Sequence, residues 1–216
     1  MGRLPPLLPA SFYARDALEV ARDLLGKELR RGRVRLRIVE VEAYRAGGDT
    51  ANHGRAGRTA RNAPMWGPAG HAYVYLCYGL HHMLNLVTDG PDVASAVLIR
   101  ACEPLEGTSI VQRRRGLASD GPELLSGPGR VGQALGLDLS WNDHPLYRAG
   151  GLEVRDGPAP RRIATGPRVG IDYAAPEHRE APWRLADADS RWVSRRSGLQ
   201  PPPPWTRRAA SRPRRP

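Results

Sequence analysis

Lysine is almost missing from this chain. Of its 33 basic residues Lys27 is the only lysine, so chemistry through a side-chain amine has one candidate besides the terminal amine. Cysteine is scarce as well. Cys77 and Cys102 lie in apolar, strand-like runs without a C-x-x-C or any ligand spacing, which argues against a disulfide framework or a cysteine-built zinc site and predicts two buried free thiols. No apolar run approaches the roughly 18 residues of a membrane span, and the N-terminus lacks a signal-peptide profile, so the expected compartment is the cytoplasm. No segment repeats.

What is present is arginine. Lys and Arg outnumber Asp and Glu by 33 to 22, and the sequence pI is about 10.7, which points to a polyanionic partner such as nucleic acid. The excess is uneven. Residues 195–216 hold seven arginines and no acid, leaving the first 194 residues with 26 basic side chains against 22 acidic. At 216 residues the chain suits one domain, expected over residues 1–196. A Pro/Arg-rich, disordered tail is expected over 197–216, either as an electrostatic tether to phosphate or as a passive end.

Local patterns predict an α+β domain. Ser11 caps an amphipathic helix from Phe12 to Gly26, in which Tyr13, Ala17, Ala21, Leu24 and Leu25 recur at three and four. From Arg33 the period becomes two, with Val34, Leu36 and Ile38 opposite the arginines. Beyond Ile38 the same parity carries Glu40, Glu42 and Tyr44, while Val39, Val41 and Ala43 occupy the other face. A strand apolar on both faces is covered on both, so at least one carboxylate must point into protein. Gly47 to Gly70 has no periodicity and reads as a long, functional loop with short helical turns. Strands follow over Ala72–Tyr78, Leu84–Thr88 and Ala96–Cys102, with His81 and His82 in the intervening turn. Helices are expected over Leu105–Arg114 and Arg130–Leu135, the second opened by Ser126-Gly127-Pro128-Gly129.

Burying a carboxylate or an unpaired histidine is costly, so strands rich in polar and aromatic residues suggest a pocket. Singly, each such residue has an ordinary explanation: a paired Glu42, packing tyrosines, a structural His53, Arg100 as a counter-ion. Their order is more informative. The segments RIVEVEAY (Arg37 to Tyr44), ANH ending at His53, RTARN (Arg58 to Asn62), MWGPAGHAYVYLCYG (Met65 to Gly79), Asn85, LIRACEP (Leu98 to Pro104) and LSGPGRVGQALGL (Leu125 to Leu137) together resemble the alkyladenine, or methylpurine, DNA glycosylase family, from Leu24 to about Ser194.

That resemblance implies a curved, mostly antiparallel sheet flanked by helices, and an enzyme that flips a damaged purine out of duplex DNA. Tyr44 and His53 would stack on one face of the base and Tyr75 on the other. Tyr78 would wedge into the vacated stack. Asn85 would lie near the purine 2-position, Glu42 would activate water, and Arg100 and the backbone near Ile171 would help hold that water. Gly170, Asp172 and Tyr173 match less tightly, and Leu80 to Met83 depart from the family's methionine and aromatic residues. With so little lysine, water rather than an amine is the expected nucleophile, leaving an abasic site without nicking. No metal or cofactor is implied, and the protein is expected to act as a monomer. Two other readings remain at this point: a helix-hairpin-helix glycosylase, suggested by the Ser126 to Gly129 turn, and a DNA- or RNA-binding protein that keeps a base pocket without catalysis.

Overall fold

The computed structural model describes residues 3–201. Its centre is an eight-stranded, antiparallel sheet that does not close into a barrel. Strands β1 (Glu28–Arg31), β2 (Val34–Tyr44), β3 (Ala72–Cys77), β4 (His81–Val87), β5 (Ala96–Glu106) and β6 (Leu152–Arg155) run in the order β3-β4-β5-β2-β1-β6. The remaining two, β7 (Ile163–Gly166) and β8 (Arg184–Asp187), form a pair whose β8 lies against Glu40 to Glu42 of β2.

This arrangement explains the change of pattern in β2. Its first half is half-buried, with Arg35 and Arg37 partly exposed; its second half has β5 on one edge and β8 on the other, and Val39 to Ala43 are all buried. Both carboxylates, Glu40 and Glu42, are inside. The β2–β5 ladder is interrupted there. Ile38 pairs with Cys102, Glu40 with Ala101 and Val41 with Ile99, so Val39 on one strand and Arg100 on the other are extra residues. Such irregularities re-aim side chains, and this one carries Arg100 to both carboxylates.

Several elements differ from the expectations. The N-terminal helix is two: α1 (Ala10–Tyr13) and α2 (Ala17–Leu24). Asp16, not Ser11, caps the longer one by accepting from the Leu18 N–H, and Arg15 Nε donates to the Phe12 carbonyl at the break. Strand β1 has no periodic signature of its own, because Leu29 alone among its four residues is aliphatic. β4 begins at His81, with His81 and His82 paired to Cys77 and Leu76 rather than in the turn. β5 runs through Pro104 to Glu106, and the helix, α3 (Thr108–Arg115), starts only after Gly107 at φ 77°. Proline is tolerated because β4 pairs with β5 only as far as Leu98, leaving that later edge unladdered by β4.

α4 (Pro128–Leu135) packs against β4, and the short α5 (Pro176–Arg179) precedes β8. Gly132 permits the α4 approach, since a Cβ there would lie 2.0 Å from the His82 carbonyl oxygen. The main core gathers Tyr13, Val20 and Leu24 with Leu36, Ile38, Leu86 and Ile99. The basic tail, for residues 202–216, lies outside the described residues. Its expected start is tied to the body, because Gln200 bridges Thr165 through two backbone hydrogen bonds of 2.8 Å.

Candidate active site

A cavity of about 430 Å³ opens between β2, β3, β4 and the segment after β7, a size within the roughly 300–1,000 Å³ of small-ligand sites. Tyr44, His53, Tyr75, Tyr78, Asn85, Arg100 and Ile171 all line it. Glu42 does not. It sits behind Tyr44 and Arg100, wholly buried, and three donors converge on it: the Val169 N–H at 2.7 Å and Arg100 Nη1 at 3.2 Å on Oε1, and the Tyr44 hydroxyl at 2.9 Å on Oε2. That is what a carboxylate anion in an interior requires. Burial disfavours the Arg100 charge, yet Glu42 and Glu40 outweigh it and hold that guanidinium above the ordinary arginine pKa.

The aromatic side is formed by β3 and the loop before it. Tyr73 and Tyr75, two apart on β3, have ring centroids 5.7 Å apart. His53 opens a 3-10 turn (His53–Ala56) that Asn52 caps, and its Nδ1 lies 3.0 Å from the Tyr73 hydroxyl. Burial first, and then Arg61 and Arg55, push the His53 pKa below 6.5. Burial likewise lifts Tyr73 to about 12, with Arg61 opposing, and raises Tyr75 and Tyr44. The His53 and Tyr75 rings meet edge to face with centroids 4.6 Å apart, so no planar slot is open between those two rings. Beneath Tyr44 lies Arg168, its guanidinium 4.6 Å from that ring and 4.9 Å from Trp183. Arg168 forms a wholly buried two-point ion pair with Asp49, at 2.6 and 2.8 Å.

Tyr78 is the most exposed of the large apolar side chains among the described residues. It occupies the β3–β4 turn closed by the Leu80 N–H on the Cys77 carbonyl, where Tyr78 and Gly79 have φ of 50° and 69°. Two positive φ values suit Asn-Gly or Gly-Gly; a tyrosine there carries strain of order 1 kcal/mol. It is nevertheless 92% exposed.

A family model described as methylpurine-DNA glycosylase matches residues 11–191. The chain is 66% identical over 195 residues to a Nitrosococcus oceani protein whose name assigns it provisionally to the 3-methyladenine DNA glycosylases, covering 90% of this chain and 96% of that one. An Arabidopsis thaliana DNA-3-methyladenine glycosylase is 59% identical over 189 residues, covering 87% and 74% respectively. This chain belongs to the methylpurine-DNA glycosylase family.

Within this methylpurine-DNA glycosylase family member, sequence reasoning missed Arg61, Met83, Pro128 and Val169, which also line the cavity. Val169 contributes only a backbone N–H, which leaves no compositional trace. Asp49 and Arg168 are 119 residues apart, and no local pattern joins them. Against the expectation of a buried thiol, Cys77 is half-buried and lines the cavity, because β3 turns outward towards its tip; Cys102 is buried as expected. Asn85 donates to the Tyr73 carbonyl at 3.1 Å, which fixes its amide against the cavity wall. Among the described residues no group of three or more His, Cys, Asp or Glu side chains is placed to hold a metal, and no helix is long and apolar enough to cross a membrane.

Proposed function

We propose that this protein removes alkylated purines from duplex DNA by base flipping and water attack at C1′, leaving an abasic site. The observation that carries this reading is the pairing of a strained, exposed tyrosine with the cavity beside it. Strain persists where surrounding structure enforces it, and a large aromatic side chain displayed in a strained turn suits insertion into a base stack. The flipped base would enter between the tyrosines, with His53 turning from its edge-on contact to admit it.

Breaking an N-glycosidic bond develops positive charge on the sugar, which a buried carboxylate stabilises while it deprotonates water. Glu42 Oε2 has a lone pair beyond the one taken by Tyr44, and the attacking water would bind there once the wall of Tyr44 and Arg100 opens to admit it. Arg100 and the Val169 N–H hold the other oxygen still. A purine alkylated at N3 or N7 is already cationic and leaves without protonation, and electron-rich tyrosine faces favour it. His53, biased toward the neutral imidazole, is poorly suited to protonating a leaving base.

A monofunctional route fits the one lysine. Lys27 Nζ is bound to Asp156 at 2.6 Å and to the Gly157 carbonyl at 2.9 Å, and it is not among the cavity-lining residues. The test is single-turnover base release from duplexes carrying 3-methyladenine, 7-methylguanine, hypoxanthine or ethenoadenine, comparing wild type with Glu42→Gln, together with borohydride trapping. Release by wild type alone, without a trapped adduct, is expected. Tight, salt-sensitive binding with no release from any lesion would leave the non-catalytic base reader in its place.

A further inference from the structure

Arg100 faces two carboxylates, and the activation of water by Glu42 uses only one. Glu40 is wholly buried and does not line the cavity. Its Oε1 lies 3.4 Å from Arg100 Nε and 3.1 Å from Arg184 Nη1, and its Oε2 accepts the Ser194 N–H at 2.6 Å. Arg184, itself buried, donates to the carbonyls of Pro167, Arg195 and Ser197 at 2.8, 2.6 and 2.9 Å. Two carboxylates and two guanidinia thus form one balanced, buried array, with Arg100 shared between Glu40 and Glu42.

We propose that Glu40 is a positioning residue for the glycosylase reaction: with Arg184 and the Ser194 backbone it holds Arg100 midway, and through Arg100 it sets the placement and basicity of Glu42. The inference rests on the reading of Glu42 as the group that activates water. A buried guanidinium with one carboxylate moves to that carboxylate, because attraction at short range in a low-dielectric interior is strong. Without Glu40, Arg100 pairs with Glu42 alone, making it a weaker base and shifting both groups from their places at and behind the cavity wall. The charged and titratable groups facing Glu42 are Arg100 from β5, Tyr44 on its own strand and Tyr75 from β3; those facing Glu40 are Arg100 and Arg184. Ser194, Arg195 and Ser197 lie past residue 191, where the family match ends, so the array is completed by the C-terminal segment.

The test measures single-turnover base release from about pH 5 to 9 for wild type, Glu40→Gln and Glu40→Asp, alongside DNA affinity and thermal melting. Glu40→Gln is expected to lower the plateau rate about tenfold, a fraction of the hundred- to ten-thousand-fold a positioned general base supplies. Its DNA affinity should stay at the wild-type value and the acid limb of its profile should move to lower pH. Glu40→Asp, which keeps the charge, should recover part of the rate. An unchanged rate, or a loss that follows only the folded fraction with the acid limb unmoved, overturns the proposal. If Glu40→Gln does not fold, Glu40→Asp decides: a reduced rate with a displaced limb supports the role, and an unmoved limb overturns it. Wild type that releases no base overturns the glycosylase reading along with this one, whereas wild-type release with an unmoved Glu40→Gln profile overturns this one alone.

Discussion

The two sides of the cavity depart from the usual rules of burial in opposite senses. On the β2–β5 side, charge is inside: Glu40, Glu42, Arg100 and Arg184 are all buried, and Asp49 and Arg168 are sealed beneath Tyr44. On the β3–β4 side, an apolar ring is outside, with Tyr78 held in a strained turn above Tyr75 and His53. The first departure is compensated by hydrogen bonds and counter-charges within the protein. Among the described residues the second is not covered, and the proposed function gives that ring a partner in the base stack of DNA. A fixed, charged side thus faces an aromatic side with a strained, protruding tip, and the proposed reaction would use the first to hold Glu42 still and the second to admit the base.

The sharpest test of the charged side is Glu42→Gln. It is expected to cut single-turnover release by roughly a hundred- to ten-thousand-fold with duplex affinity near wild type, and to lower the melting temperature as well, because the buried array of Glu40, Arg100 and Arg184 is left unbalanced. Comparable release by this variant would remove Glu42 from the chemistry. Next in size is the Asp49–Arg168 pair. Breaking it with Asp49→Asn leaves a buried arginine uncompensated, and stability measured by urea unfolding should drop by about 3 kcal/mol or more. If the loss is instead confined to the release rate of folded protein, Asp49 belongs to the reaction and not to the scaffold.

The aromatic side should answer with the opposite sign. Tyr78→Asn places a residue that accepts positive φ in the same turn, so the folded state should gain about 1 kcal/mol while base release falls. A destabilised variant would show that Tyr78 packs against something in the free protein. The smallest effect concerns His53, which stands on this side. Its folded pKa lies below the ordinary 6.5, so the unfolded chain binds more protons and stability rises with pH through that window, being lost as the pH falls below it. His53→Gln should flatten the decline in melting temperature as the pH falls below about 6.5.

Much of the site is legible in the residues alone. The alternation in β2 shows that a carboxylate has to be buried, and the spaced motifs name seven residues that the fold gathers at one cavity, together with Glu42 behind it. Periodicity fails where tertiary pairing overrides local preference. Pro104 looks like a helix start, but its strand has a free edge there; His81 and His82 look like turn residues, but Leu76 and Cys77 pair with them. Asp16 displaces Ser11 as the cap because its carboxylate reaches the Leu18 N–H.

The sequence by itself determined the composition that points to a polyanion, the lone lysine and the strand periods, since these depend on residue identity and short-range spacing, and its spaced motifs carried the resemblance that implied the antiparallel sheet and the family. Only the tertiary structure decided that Arg100 stands between two carboxylates, that a Val169 amide joins Arg100 and Tyr44 in holding Glu42, and that the segment after residue 193 closes on Glu40. Apart from that of Tyr44, those contacts join positions 58 to 154 residues apart through a ladder irregularity and a backbone donor, and neither the bulge register nor a main-chain N–H is written in the identity of the residues that use it.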